Sequence, residues 1–404
     1  MTRPMEGLKV VDFTHVLAGP FATRILGDMG ADVIKINSVN RAVGANEPSH
    51  PYYLMWNRNK RALALDLTKE DSRRLCAQLC EQADIVIDNF SVGVLDRWGL
   101  GYETVSAVNP KVIYVQMSGM GDNGPWQDFV TYAPTIQALS GLTHLTGVPG
   151  RENIGLGFSY NDHQAGLHGA IAMLAALEAL RTTGRGQRVD LSQFEVGVNF
   201  AGPTLMDYFA NDVKARPVGN NLPYDEAVPH GCYPCAGAKS QATIDEKWVA
   251  IACMNDAQWF ALRGVMGNPA WSTTEAYDTA EGRVDHAETI DQAVAQWTRE
   301  YEPQDVMYQC QSAGVPAGVV QNGIDLIEND PQLKHSGFLK NMESVHPTVG
   351  TTYVDSLPIH FGETPCENYE RVRVIGEDNH AILHDWLDMS EQDIREAEEA
   401  GLLK

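Results

Sequence analysis

Positive charge is scarce in this chain. Its 404 residues carry 30 lysines and arginines against 53 aspartates and glutamates, a formal net charge of -23. So acidic a surface does not suit nucleic acid or an anionic membrane as a partner. An anionic small ligand stays open, because local basic groups and helix N-termini can hold one. Long hydrophobic runs are lacking too. No stretch of about 18 apolar residues occurs, so no segment is expected to span a bilayer. The opening residues, MTRPMEGLKVVDF, carry no signal-peptide pattern. Cysteine is sparse and odd in number, seven in all, which points to a reducing cytoplasm. Cys232 and Cys235 form a CxxC, but no second pair has zinc-site spacing, and the pair reads as structural. The nucleophile elbow GxSxG is missing, which speaks against a Ser-His-Asp hydrolase.

What is present suits a soluble enzyme. Hydrophobic residues make up 44% and charged residues 21%, enough for a core that can hide an active site. KVVDF (9–13), ADVIKI (31–36), ADIVID (83–88) and VIYVQM (112–117) are near-continuous apolar strands with helices between them. That pattern predicts an α/β fold, a mostly parallel sheet covered on both faces. Thr68-Lys-Glu-Asp71 reads as a capping box opening a helix through Gln82. A helix from Gln164 to about Thr183 is small and apolar nearly all round and is expected to be buried. QFEVGVNFAGPTLMDYFAND reads as one further helix. After Asp212 the chain becomes rich in Gly, Pro and Asn, as in a linker or long loops. The expected organisation is a large domain over 1–212, a smaller α+β domain over 225–325, and a segment 326–404 that returns to the large domain.

Several places could carry chemistry. The turn His15-Val-Leu-Ala-Gly-Pro20 follows the first buried strand, where open α/β sheets place ligands. It has no GxGxxG, so an ordinary dinucleotide site is not expected there. Its N–H groups can hold an anion or oxyanion, or it is a plain connection. Asn57-Arg-Asn-Lys-Arg61 is either a solvated basic loop or a landing place for phosphates. By the same strand-end logic Phe90 can stack on a base and Arg97 can meet a phosphate. Asp162 stands alone in GFSYNDHQAGLHGA, with no second acid, metal-type cluster or Lys beside it. Two readings remain open: Asn161 or Asp162 caps the following helix, or Asp162 is a carboxylate nucleophile or base.

Taken in order, MEGLKVVDFTHVLAGPFATRILGDMGADVIKI, NRNKRALALDL, ADIVIDNFSVGVLDRWGLGYE, NPKVIYVQMSGMGDNGP, ND-x-x-AGLHGA, TGRGQRVDLSQFE, GVPAGVV and GEDNHAIL resemble the class III CoA-transferase family, which includes formyl-CoA and carnitine CoA-transferases. The resemblance runs over essentially the whole chain. It implies a large Rossmann-like domain, a smaller α+β domain, and two chains threaded into an interlocked homodimer. It implies coenzyme A, carried as acyl-CoA, and a small carboxylic acid as substrates, with no metal required. It implies that Asp162 is the catalytic nucleophile, and that CoA is contacted by Val16, Leu17, Ala18, Leu65, Asn89, Phe90, Arg97 and Tyr132. Asp162 would attack the donor thioester to form an aspartyl anhydride, with the CoA thiolate kept bound for the exchange. Such a site needs a desolvated Asp, oxyanion donors and a lid against water. Ala165, Gly166 and Gly169 are expected to let thioester atoms come close.

The chain also departs from the family pattern. Leu17 stands where the formyl-CoA enzymes have Gln, and Ala133 where they have Glu; their tetraglycine lid has no counterpart after Pro229. Formate and oxalate are therefore not the expected substrates. Asn37-Ser38 replaces the acid or Arg of many members, leaving Arg41 as a candidate at the adenine end. His230 and Tyr233, in the loop from Asn220 to Gln241, either line an acid pocket or pack the loop. Two alternatives stand beside the transferase: an α-methylacyl-CoA racemase, and a non-catalytic CoA-binding subunit. The racemases pair an Asp with a His. Here Tyr132 falls where that His would be, and His163, one residue from Asp162, should diverge from it on a helix.

Overall fold

Strands that are apolar on consecutive residues have no face to offer water, so helices must cover both sides of the sheet they form. The computed structural model describes residues 3–222, 227–237, 247–344, 346 and 348–404. Strands β1 (Lys9–Asp12), β2 (Asp32–Asn37), β3 (Lys60–Ala64), β4 (Ile85–Asp88), β5 (Ile113–Gln116) and β6 (Gln187–Asp190) are all parallel, in the order β3-β2-β1-β4-β5-β6. This is the Rossmann order, with its reversal between β1 and β4. The helices in between are α1 (Ala18–Asp28), α2 (Pro51–Trp56), α3 (Glu70–Gln82), α4 (Val94–Arg97), α5 (Tyr102–Val108), α6 (Ala133–Leu139), α7 (Leu142–Leu145), α8 (Tyr160–Thr183), α9 (Gln193–Phe200) and α10 (Gly202–Asn211).

The chain divides into two compact units, 3–143 with 155–214 and 336–404, and 144–154 with 215–335. The second unit carries an antiparallel sheet of β7 (His230–Pro234), β8 (Trp248–Ala252) and β9 (Ala317–Val319). Helices α11 (Asp256–Val265), α12 (Ala280–Asp285), α13 (Ala287–Thr298) and α14 (Pro303–Ser312) accompany it, with Trp259, Ile290 and Val306 in the core. Residues 144–154 join this unit through long-range bonds. Gly219 N–H donates to the Gly147 carbonyl at 3.1 Å, and the His144 ring lies 3.3 Å from the Ala215 carbonyl. After α15 (Pro331–Ser336) the first unit resumes with the hairpin β10 (Leu339–Glu343) and β11 (Thr351–Asp355), then α16 (Asn379–Leu387) and α17 (Glu391–Glu399).

On one face of the parallel sheet, Ala22 and Leu26 of α1 and Met173 and Ala176 of α8 pack on Val10, Ile85 and Ile113. On the other, Cys76 and Leu79 of α3 and Ile382, Trp386 and Ile394 of α16 and α17 pack on Val11, Ile34 and Val86. The returning tail also covers the outer edge of β3, whose Ala62 and Ala64 N–H groups donate to Asp378 and Asn379 at 2.8 Å.

Four sequence expectations are corrected. Thr68 does not cap α3: its hydroxyl donates back to Asp66 at 2.6 Å, and the N-cap position falls to Lys69. The stretch after β6 is two helices, parted at Ala201, because Pro203 lacks the N–H that a continuous helix would need. Helix α8 begins at Tyr160, before Asp162, with Ser159 as N-cap. It is not buried all round, for Leu167 and Ile171 are exposed. No helix among the described residues is long and apolar enough to cross a membrane.

Candidate active site

Asp162 lies in the first turn of α8. It is not a cap, and neither is Asn161, whose amide is buried and donates to the Gln193 carbonyl at 2.8 Å. Asp162 Oδ2 is buried and has no hydrogen-bond partner among the described residues. Burial raises its carboxyl to about 6, partly offset by a hydrogen bond from its own N–H. His163 turns elsewhere. Its Nδ1 lies 2.7 Å from the Ser159 carbonyl, and its ring packs edge-on against Phe21, Trp56 and Phe158.

The small residues after Asp162 serve helix packing rather than ligand approach. A Cβ at Gly166 would sit 2.8 Å from the Ala18 carbonyl oxygen, and one at Gly169 would sit 2.9 Å from the Met117 sulfur. Their absence lets α8 close on α1 and β5. That contact sets Asp162 beside the β1–α1 turn.

Asp162 lines a cavity of about 450 Å³ at the carboxyl ends of the strands, where the β1–α1 turn, the β4–α4 turn and the segment after β5 meet. A smaller cavity of about 100 Å³ shares His15 and Phe90 with it and continues past Phe13, Ile36, Leu65 and Trp98. Together they trace a path from Asp162 across the topological switch point to the end of β3, the crevice in which open α/β sheets bind ligands.

The turn between β1 and α1 is held under strain. Val16 has φ +66°, rare for a β-branched residue. Its N–H donates to Asn46 at 3.2 Å, and Asn89 clamps His15 with bonds of 2.7 and 2.8 Å. Beneath the turn, Asp12 accepts from the Thr14 N–H, the Thr23 hydroxyl and the Lys60 ammonium at 2.7–3.1 Å, and from Lys35 at 3.4 Å. Burial alone would raise the Asp12 carboxyl, but Lys35 and Lys60 outweigh it and hold it well below the usual range. Burial in turn lowers Lys60 to about 7 against the pull of Asp12. Lys35 also donates to the Thr14 carbonyl.

The residues implied by the resemblance fall in different places. Val16, Asn89, Phe90 and Tyr132 line the larger cavity and Leu65 the smaller. Phe90 packs tilted against His15, ring centroids 5.1 Å apart, and meets Trp98 edge-on, and Asp88 holds its N–H at 3.0 Å. The Asn89 amide is already engaged with His15. Leu17 and Ala18 are buried and line neither cavity. Arg97 is exposed, outside both linings.

The cations of the basic loop already have carboxylate partners. Arg58 is buried and bonds Asp28 and Asp355, Lys60 bonds Asp12, and Arg61 bonds Asp32 and Asp385. In the second unit, the buried Tyr233 gives its hydroxyl to Asp291 at 2.6 Å, and the His230 ring bonds the Asn220 carbonyl. Residues 223–226 and 238–241 of that loop, and the Arg41 side chain, lie outside the described residues.

Among the lining residues of the larger cavity that the sequence did not point to are His50, Ser118 and Gln193. Ser118 follows β5, and Gln193 opens α9 just past β6. The strand-end rule that found Asn89 and Phe90 reaches both of these. Gly-Met-Gly-Asp-Asn-Gly124 after Ser118 even has GxGxxG spacing, though no helix opens on it. Among the described residues no group of three or more His, Cys, Asp or Glu is placed to hold a metal ion.

Residues 5–379 match the family model described as CoA-transferase family III. The succinate–glutarate CoA-transferase of Agrobacterium fabrum is 31% identical over 386 residues, 91% of this chain and 92% of that protein. The formyl-CoA:oxalate CoA-transferase of Rhodopseudomonas palustris is 29% identical, over 100% of this chain and 98% of that one. Among solved structures, a CAIB/BAIF family protein from Brucella suis superposes with a TM-score of 0.84 at 30% identity, over 96% of this chain and 100% of that one. A parallel Rossmann sheet with a ligand crevice at its switch point and a match spanning both units agree: this chain belongs to CoA-transferase family III.

Proposed function

We propose that the chain moves CoA from an acyl-CoA thioester to a small carboxylic acid, with Asp162 as the covalent nucleophile. A carboxylate oxygen of Asp162 attacks the thioester carbonyl. The C–S bond breaks, and the pair yields an aspartyl–acyl anhydride and CoA thiolate. The thiolate attacks the aspartyl carbonyl, releasing the donor acid and leaving CoA as an aspartyl thioester. The acceptor carboxylate repeats the two steps in reverse, so Asp162 is restored and the thioester is conserved. No net proton is consumed. The observation that carries this reading is the buried, unpartnered Oδ2 of Asp162 on the wall of the larger cavity. The path from Asp162 past Phe90 to Leu65 is assigned to CoA, with its adenine end toward β3 and Arg97 at the rim for phosphate.

The working particle in this reading is an interlocked homodimer. Helix α10 supports it, for Leu205, Met206 and Phe209 are 52%, 64% and 87% exposed, an apolar face that a second chain would cover. The cysteines are all free, in keeping with a reducing cytoplasm. The acids named for the relatives, dicarboxylates among them, make small mono- and dicarboxylates the acceptors to try first. The test is transfer by Asp162→Asn, read by mass. The expected result is loss of transfer with CoA binding retained. Transfer that survives, or a wild type that only exchanges α-protons with deuterated solvent, would contradict it.

A further inference from the structure

Two more polar groups on the wall of the Asp162 cavity have no partner among the described residues. Ser118 and Gln193 both line it, and they are only 4% and 7% exposed. Ser118 Oγ and Gln193 Oε1 are buried and make no hydrogen bond among the described residues. Neither is loosely placed. Gln193 Nε2 donates to the Met117 carbonyl at 3.1 Å, its N–H to the Ser118 carbonyl at 3.1 Å, and its own carbonyl accepts from Asn161 at 2.8 Å. The Met117 bond fixes which end of the amide is nitrogen, so Oε1 can only accept. Asn161 precedes Asp162 on α8, so the same contact holds Gln193 in register with the carboxylate. A buried amide oxygen is costly to leave unpaired, and a rigid one cannot turn to find a partner.

From this we infer that Ser118 and Gln193 form a hydrogen-bonding subsite of the acyl-CoA site, taking a ligand group that presents one donor hydrogen and one acceptor oxygen. Gln193 Oε1 accepts the hydrogen, and the Ser118 hydroxyl donates to the oxygen. The inference rests on the CoA-transferase reading and extends it to two residues outside the assigned contacts. Two parts of the substrates have this chemistry. One is an amide of the pantetheine arm, through its N–H and C=O. The other is the hydroxyl of a hydroxy acid.

Gln193→Met and Ser118→Ala, each in the full chain, separate the two sources. Free CoA binding is measured by calorimetry. Transfer from acetyl-CoA is then compared for L-lactate against propionate and for L-malate against succinate. If the pair holds the pantetheine amide, CoA affinity falls roughly tenfold or more in both variants. If it holds the acyl hydroxyl, CoA affinity is unchanged and the preference for the hydroxy acid over its deoxy counterpart falls by a similar factor. Unchanged affinity and unchanged preference overturn the inference. Ser118→Ala removes a single oxygen and decides the matter should Gln193→Met fail to fold. Hydroxylamine trapping on Asp162, run on the wild type alongside, keeps the two readings apart. A wild type that gives no hydroxamate removes the Asp162 nucleophile, while the CoA arm still reports on the pair.

Discussion

Burial, which in the proposed mechanism makes the Asp162 carboxylate reactive, also makes it a burden on the fold. Its carboxyl is raised from 3.8 to about 6. In the proposed mechanism the ionised form attacks, so kcat/KM should rise with pH through about 6 and level off above it. A flat profile between pH 5 and 8 would remove burial as the source of its reactivity. The sign of the stability effect is opposite. A carboxyl whose folded value is raised is harmless below about 4, where it is neutral in both states, and costs stability as pH rises through 6. Two units correspond to ~3 kcal/mol. Asp162→Asn should therefore raise the unfolding free energy by about 1–3 kcal/mol above pH 6, with the gain vanishing near pH 4. Were the residue a cap, Asn would do the same work and stability would not change. Arg58 and Arg97 form a second contrast. Arg58→Met leaves the buried Asp28 without its ion-pair partner and should cost about 3–5 kcal/mol in urea unfolding. Arg97→Ala, at an exposed site, should leave stability within ~0.5 kcal/mol. It should weaken CoA binding by ~1–3 kcal/mol and flatten the salt dependence of that binding.

At the level of elements, the site depends on how closely α8 approaches α1. Gly166 allows it, because any Cβ there meets the Ala18 backbone at 2.8 Å. Gly166→Ala should cost about 1–3 kcal/mol by overpacking, a larger penalty than the gain Ala brings to an open helix position. Thermal unfolding that shows stabilisation would mean α8 can stand off from α1. The parallel sheet was legible from sequence because Val10-Val11, Ile85-Val86-Ile87 and Ile113-Tyr-Val115 are apolar on both faces, a signal contained in each strand. The pairing of the basic loop was not legible because its partners are remote: Asp28 lies 30 residues from Arg58, and Asp355 lies 297. No local pattern reports a carboxylate that arrives from β11. Thr68 was misread for the opposite reason, since the competing acceptor, Asp66, stands two residues back and takes the hydroxyl first. Asp162 was legible as an isolated acid at a helix start. The residues around it, Ser118 and Gln193, arrive from two other strand ends, and only the sheet order brings them together.

For the whole molecule, the proposed homodimer would cover the exposed apolar face of α10. Sedimentation at low concentration should find a dimer, and Phe209→Asp should shift it toward monomer with loss of activity. A folded, active wild-type monomer would contradict the interlocked assembly. The proposed function turns on one chemical event, the capture of an acyl group by Asp162. The most direct measurement offers the wild-type protein an acyl-CoA together with hydroxylamine, without an acceptor acid, and maps the product by peptide mass. The account predicts a hydroxamate on Asp162 that accumulates only when acyl-CoA is present. An unmodified Asp162, in a preparation that transfers CoA once an acceptor acid is added, would contradict the covalent mechanism.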